Sequence, residues 1–200
     1  LSIPTEILSE IFIQCLPLYP ACPPLKGPSS PTCLTQICRR WRETALATPE
    51  LWRAIPLRPI RREERIVPLW LQRSGMQPLS IQMQSADFEG TWLSDLTLGA
   101  LFQCQSRWEH VKLALADSAL GGIECPMPLL RSLSLRMYKS THTERPMSNV
   151  VDFPRLDTLA VDRLIHVGDW LPWSQLTRLT LQRVEPFEYL SHLQTAINLV

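Results

Sequence analysis

The sequence predicts a mixed fold, α+β or α/β: an N-terminal unit of three helices over residues 1–58, a linker helix over 59–75, and a repeat domain of parallel strands over 76–200. Three observations carry this. The stretch Cys33–Trp52 has apolar residues at helical spacing; prolines punctuate the chain around it; and from residue 76 one short apolar pattern returns five times.

Residues 3–16 read as the first helix. Pro4 suits a first turn, where its missing N–H has no partner to lose, and Glu6 favours the positive end of the helix dipole. Ile7, Leu8, Ile11 and Phe12 form its apolar face. Six prolines between 17 and 31 then exclude regular structure and predict an exposed loop, ended by a Ser30–Pro31 cap. In the next helix Leu34, Ile37, Cys38, Trp41 and Ala45 share one face and Arg39, Arg40, Arg42 and Glu43 the other. Thr48–Pro49 closes it, and Glu50–Trp52 starts a short third helix. Trp41 and Trp52 are expected to be core anchors, because a large indole on an apolar stripe gains more from burial than from any surface role.

Arg53 to Glu64 is rich in Arg and Pro, with Glu63 and Glu64 interrupting its basic run. A solvated helix start is favoured there over an anion-binding patch. Ile66, Leu69 and Trp70 share a helical face, with Pro68 near the first turn and Gly75 as the C-terminal stop.

The repeat units are Met76-Leu79-Ile81, Trp108-Val111-Leu113, Leu130-Leu133-Leu135, Leu156-Leu159-Val161 and Leu176-Leu179-Leu181, with first residues 32, 22, 26 and 20 apart. Each has the period of two of a strand. Leu93, Leu96, Ala100, Leu101 and Cys104 predict a helix between the first two units, and Tyr189, Leu190, Leu193 and Ile197 another after the last. Strand then helix, repeated, argues parallel pairing. Alternation then sends Leu133 and Leu135 inward and Ser132, Ser134 and Arg136 outward, together with His110, Lys112 and Ala114, Thr158, Ala160 and Asp162, and Arg178, Thr180 and Gln182.

Two resemblances follow from these residues. Ile3, Pro4, Glu6, Ile7, Leu8, Ile11 and Phe12, then Ile37, Cys38, Arg39 and Trp41, then Pro49, Leu51 and Trp52 fall in the order of the F-box pattern, so residues 1–58 resemble an F-box. Its join between the first two helices is longer and richer in proline than the family's. The segment 76–200 resembles an irregular leucine-rich repeat, lacking the asparagine that usually follows the third apolar position, and the resemblance implies a partial solenoid truncated at residue 200. The F-box resemblance implies that Ile3, Pro4, Ile7, Leu8 and Ile11 dock, with Leu34, Ile37 and Cys38, onto a Skp-type adaptor of a cullin ubiquitin ligase. An unidentified protein substrate would be held by Lys112, Ser134, Arg136, Thr158, Asp162, Arg178 and Thr180, residues that are otherwise an ordinary solvated face.

Composition bounds the alternatives. Lys+Arg 20 against Asp+Glu 19, a net charge of +1, gives no global reason to bind nucleic acid or an acidic membrane. No apolar run approaches the roughly 18 residues that cross a bilayer. Six cysteines form no CxxC pair, which fits reduced thiols in a cytoplasmic or nuclear protein. The four histidines, at 110, 142, 166 and 192, have no ligand spacing, and seven glycines build no phosphate loop. The expectation is therefore a non-enzymatic, substrate-recruiting adaptor of an SCF-type ligase with no cofactor and no metal, cut from a longer protein. One rival is a non-ligase repeat scaffold whose first helices merely cap the solenoid; another is an enzyme whose site is assembled by tertiary structure.

Overall fold

The computed structural model describes residues 3–58, 60, 64–83, 93–116, 125–138, 152–162, 171–183, 193–194 and 196–199. They form a mixed fold of helices and parallel strands. The chain divides into two compact units, Leu1–Leu101 and Phe102–Val200, so the first repeat strand belongs to the first unit.

In the first unit α1 (Thr5–Gln14) turns Leu8 and Phe12 inward. Ser30 caps α2 (Pro31–Ile37) as its spacing predicts: Oγ accepts the Thr32 N–H at 3.2 Å and donates to the Leu25 carbonyl at 2.9 Å. The helix expected to run on through Cys38 is broken there. Cys38 is extended, at φ −153° and ψ 170°, and its carbonyl starts α3 (Arg39–Leu46). Arg42 then turns back, its Nε donating at 2.7 Å to the Thr35 carbonyl, so an acceptor at the end of α2 keeps a partner across the break.

Two departures concern neighbouring segments. The loop 17–31 is not a free excursion. The Pro20 carbonyl accepts Ser80 Oγ at 2.6 Å, Arg53 lies 4.0 Å from the Tyr19 ring centre, and Pro23 and Leu25 are buried. Ala54–Leu57, expected in the basic, helix-starting segment, is instead a strand, β1, with all four residues buried. It pairs in parallel with β2 (Leu79–Met83), Ala54 beside Ser80 through Leu57 beside Met83. Pro56 is tolerated because β2 is the one strand beside β1 among the described residues.

Helix α4 (Val67–Arg73) carries Pro68 in its first turn. Val67, Trp70 and Leu71 are its buried side, whereas Leu69, expected inside, faces solvent. Gly75 ends it at φ +54°, and a Cβ there would find only Pro49 atoms at 3.9 Å, so backbone conformation rather than space calls for glycine. Glu64, expected to be solvated, is buried at the start of α5 (Asp95–Phe102). It accepts the Ser94 N–H at 2.8 Å and Thr97 Oγ1 at 2.9 Å, a carboxylate placed where the helix dipole favours negative charge. Leu93 and Leu101 are buried, but Leu96 is exposed.

The second unit is built on four parallel strands: β3 (Trp108–Ala116), β4 (Ser132–Tyr138), β5 (Thr158–Asp162) and β6 (Arg178–Gln182). Each joins its neighbour in the same way at its entry. Arg131 N–H donates to Glu109 at 2.9 Å, Thr158 to Arg131 at 3.1 Å, and Arg178 to Asp157 at 3.1 Å. Trp108, Leu130, Leu156 and Leu176, the first residues of four units, are buried, as are Val111, Leu113, Leu133, Leu135, Leu159 and Val161. Each such side chain contributes roughly 1.5–3 kcal/mol. Met76, the first residue of the remaining unit, is exposed, and in β6 Leu179 and Leu181 are only half-buried. The expected closing helix falls mostly outside the described residues; Leu193 and Ile197 are exposed and Ala196 is buried. Among the described residues no helix is long and apolar enough to cross a membrane.

Candidate functional surfaces

The first surface is the outer side of α1. Ile3, Ile7 and Ile11, spaced by four residues, are 50%, 55% and 43% exposed. Spacing by four keeps Ile7 and Ile11 on one side of α1, Ile3 lies just before the Pro4 N-cap, and Leu8 and Phe12 occupy another side. Leu8, expected at the docking face, is therefore buried as support. Pro4 is exposed at the N-terminal end of α1, where an Arg40 Nη2 hydrogen bond to the Ile3 carbonyl ties that end to α3. Ile37 is 55% exposed at the end of α2, Cys38 is exposed at the break, and Leu34 is half-buried.

Behind α1, Phe12 meets Trp41 at 4.8 Å between ring centres. Thr48 Oγ1 bridges to Ser9 Oγ at 3.2 Å while also donating to the Thr44 carbonyl at 2.8 Å. Trp41 is half-buried, short of the full burial expected of it. Trp52 is completely buried: its Nε1–H donates to the Ala45 carbonyl at 2.9 Å, its ring meets Trp70 edge-on at 5.5 Å, and the Arg73 guanidinium lies 4.6 Å from it. The exposed isoleucines thus sit on a packed aromatic base.

The second surface is the outward side of the strands in the second unit. Register places His110, Ser132, Thr158 and Arg178 in one row, Lys112, Ser134, Ala160 and Thr180 in the next, and Ala114, Arg136, Asp162 and Gln182 in the third. All the outward residues named from periodicity are therefore brought together. Lys112, Arg178 and Thr180 are exposed, and Ser134 and Thr158 half-buried. Asp162 departs from the expectation of an open face. It is buried, taking Arg136 Nε at 2.7 Å on Oδ2 and Arg183 Nε at 2.8 Å on Oδ1.

Burial pushes the Asp162 carboxyl up, but the hydrogen bonds and charges of Arg183 and Arg136 pull it further down, so it sits below its ordinary value. Of the basic residues Lys112, Arg136 and Arg178 on these rows, Arg136 is thus met by a carboxylate of the same row. Arg178 lies 4.0 Å from Asp157, and Arg131 3.2 Å from Glu109. His110 is held below its ordinary value chiefly by burial; Arg131 also lowers it, and Glu109 and Asp157 oppose the fall.

Arg183 was missed because it follows the strand pattern rather than belonging to it; its partner is set by the pairing of β5 with β6, which periodicity does not reveal. Among the described residues no group of three His, Cys, Asp or Glu side chains has metal-ligand geometry. His142, His166 and His192 lie outside the described residues. No protein-family model, curated protein or solved structure matches the chain.

Proposed function

We propose that this chain is the substrate-recruiting adaptor subunit of an SCF-type cullin-RING ubiquitin ligase. In this reading its first 58 residues act as an F-box that binds a Skp-type adaptor, and its leucine-rich-repeat-like solenoid presents the ladder of β3–β6 to a protein substrate. The chain then does no chemistry. Other subunits transfer ubiquitin, and this one contributes proximity and orientation, in the cytoplasm or the nucleus.

The observation that supports the reading most is that Ile3, just before α1, and Ile7 and Ile11 on it are left in solvent although Leu8 and Phe12 of α1 are buried. β-branched aliphatic side chains on a short helix gain nothing from water, and covering the three on binding recovers apolar area without unfolding the unit. Their positions coincide with those that the F-box resemblance assigns to the adaptor.

The test is co-purification of the full chain with a recombinant Skp-type adaptor, for wild type and for Ile7→Asp combined with Ile11→Asp. Wild type should be captured stoichiometrically; the double variant should lose at least tenfold in affinity at unchanged helical content. Failure of the wild type to bind any such adaptor would sink the proposal, and undiminished binding by the variant would move the docking surface elsewhere.

A further inference from the structure

The third row of the ladder ends in a charge cluster that recruitment in general does not explain. Arg183 directly follows β6 at φ 51°, in the left-handed region, and is the one non-glycine residue with positive φ among the described residues. That conformation accompanies a side chain directed at Asp162, which takes its Nε at 2.8 Å on Oδ1 and its Nη2 on Oδ2. One edge of the guanidinium is thereby engaged in a two-point pair. The Nη1 side has no hydrogen bond to a described residue, and the side chain is 51% exposed. Arg136 reaches the same carboxylate from β4. Two guanidiniums thus meet on one carboxylate, and the row is flanked by the small Ala114 and the exposed carboxamide of Gln182.

We infer that this cluster is a carboxylate-binding site, in which the outer edge of the Arg183 guanidinium, oriented by Asp162, receives an Asp or Glu side chain from an acidic segment of the protein held by the ladder. The inference rests on the proposed recruitment role. A guanidinium offers two parallel N–H groups along each edge, so one edge on Asp162 leaves a second with carboxylate geometry. Asp162 restricts the side chain beforehand, which reduces the ordering a ligand must impose. The fork selects the ligand: the open Arg183 edge gives two N–H groups to one carboxylate and leaves the third oxygen of a phosphate without a described partner.

The test measures anisotropy of a fluorescein-labelled Gly-Glu-Glu-Gly-Glu-Glu-Gly peptide with the full chain, beside its Gln-for-Glu and phosphoserine-for-Glu counterparts. The Glu peptide should bind at least tenfold more tightly than the Gln peptide, and Arg183→Gln should remove that preference. Arg183→Lys, which keeps the charge without the fork, should lose most of it, and Gln182→Glu should weaken binding by placing a competing carboxylate beside the site. Thermal melts of each variant separate lost binding from lost fold. Equal binding of Glu and Gln peptides, binding unchanged by Arg183→Gln in a folded variant, or tighter binding of the phosphoserine peptide overturns the inference. Skp-type adaptor capture is measured on the same samples: capture without Glu preference sinks only this inference, and Glu preference without capture sinks only the ligase reading.

Discussion

The indole Nε1–H of Trp52 donates to the Ala45 carbonyl at 2.9 Å, across the corner where α3 gives way to a 3-10 turn over Pro49–Trp52. The bond satisfies a carbonyl near the end of α3 and a buried N–H together, and it ties the aromatic base beneath α1 to the segment that enters β1.

Trp52 should therefore dominate the stability of the first unit. Trp52→Ala is expected to cost about 3–5 kcal/mol, and Trp52→Phe about 1–2 kcal/mol from the lost hydrogen bond and volume. Trp41→Ala should cost less than Trp52→Ala, because Trp41 is only half-buried and its main aromatic neighbour is Phe12. Urea unfolding followed by helical signal ranks the three; a larger loss for Trp41→Ala would contradict the packing described.

Asp162 sets an acid limit on the second unit. Its folded value lies below its ordinary 3.8, so the carboxylate contributes stability above that value, and the contribution disappears as pH falls through the lower, folded one. Melting of the full chain from pH 7 down to about 2.5 should show a loss in this acid window that Asp162→Asn lacks. Asp162→Asn should itself be less stable at pH 7 by about 1–3 kcal/mol, since hydrogen bonds to a charged acceptor are replaced by weaker ones. An identical acid slope in the variant would assign the effect to other carboxylates.

Cys22 should be the slow thiol. Burial raises it to about 12, outweighing the opposing hydrogen bonds with Ser80 and Gln82, so it stays protonated at pH 8, where thiolate is the species that reacts. Alkylation by iodoacetamide at pH 8 should modify the exposed Cys15 and Cys38 well before Cys22, as read by peptide mass spectrometry. Because the folded value is raised, the neutral thiol's stabilising contribution is complete below about 9 and is lost as pH climbs toward 12. Early modification of Cys22 in the folded chain would mean that the loop 17–31 opens readily from β2.

Much of this was written in local pattern. Alternation with a period of two identified which side of β4 is buried at Leu133 and Leu135 and which is not at Ser134 and Arg136, because successive side chains of any strand must point oppositely. The Ser30–Pro31 cap, the Gly75 stop and the apolar face of α1 were legible for the same reason: each depends on residues within one or two turns of each other. Pairing partners distant in sequence were decided by the tertiary structure alone. Ala-Ile-Pro-Leu is too short and too interrupted by Pro56 to announce a strand, and it becomes β1 because β2 lies beside it. The loop 17–31 is held by a Pro20 carbonyl that finds Ser80, sixty residues away. Whether α2 and α3 form one helix or two turned on the backbone of Cys38, about which apolar spacing says nothing. Asp162 reads from alternation as one more outward residue. It is buried because the register of β4, β5 and β6 brings Arg136 and Arg183 to it, and a charge leaves water only where such partners meet it.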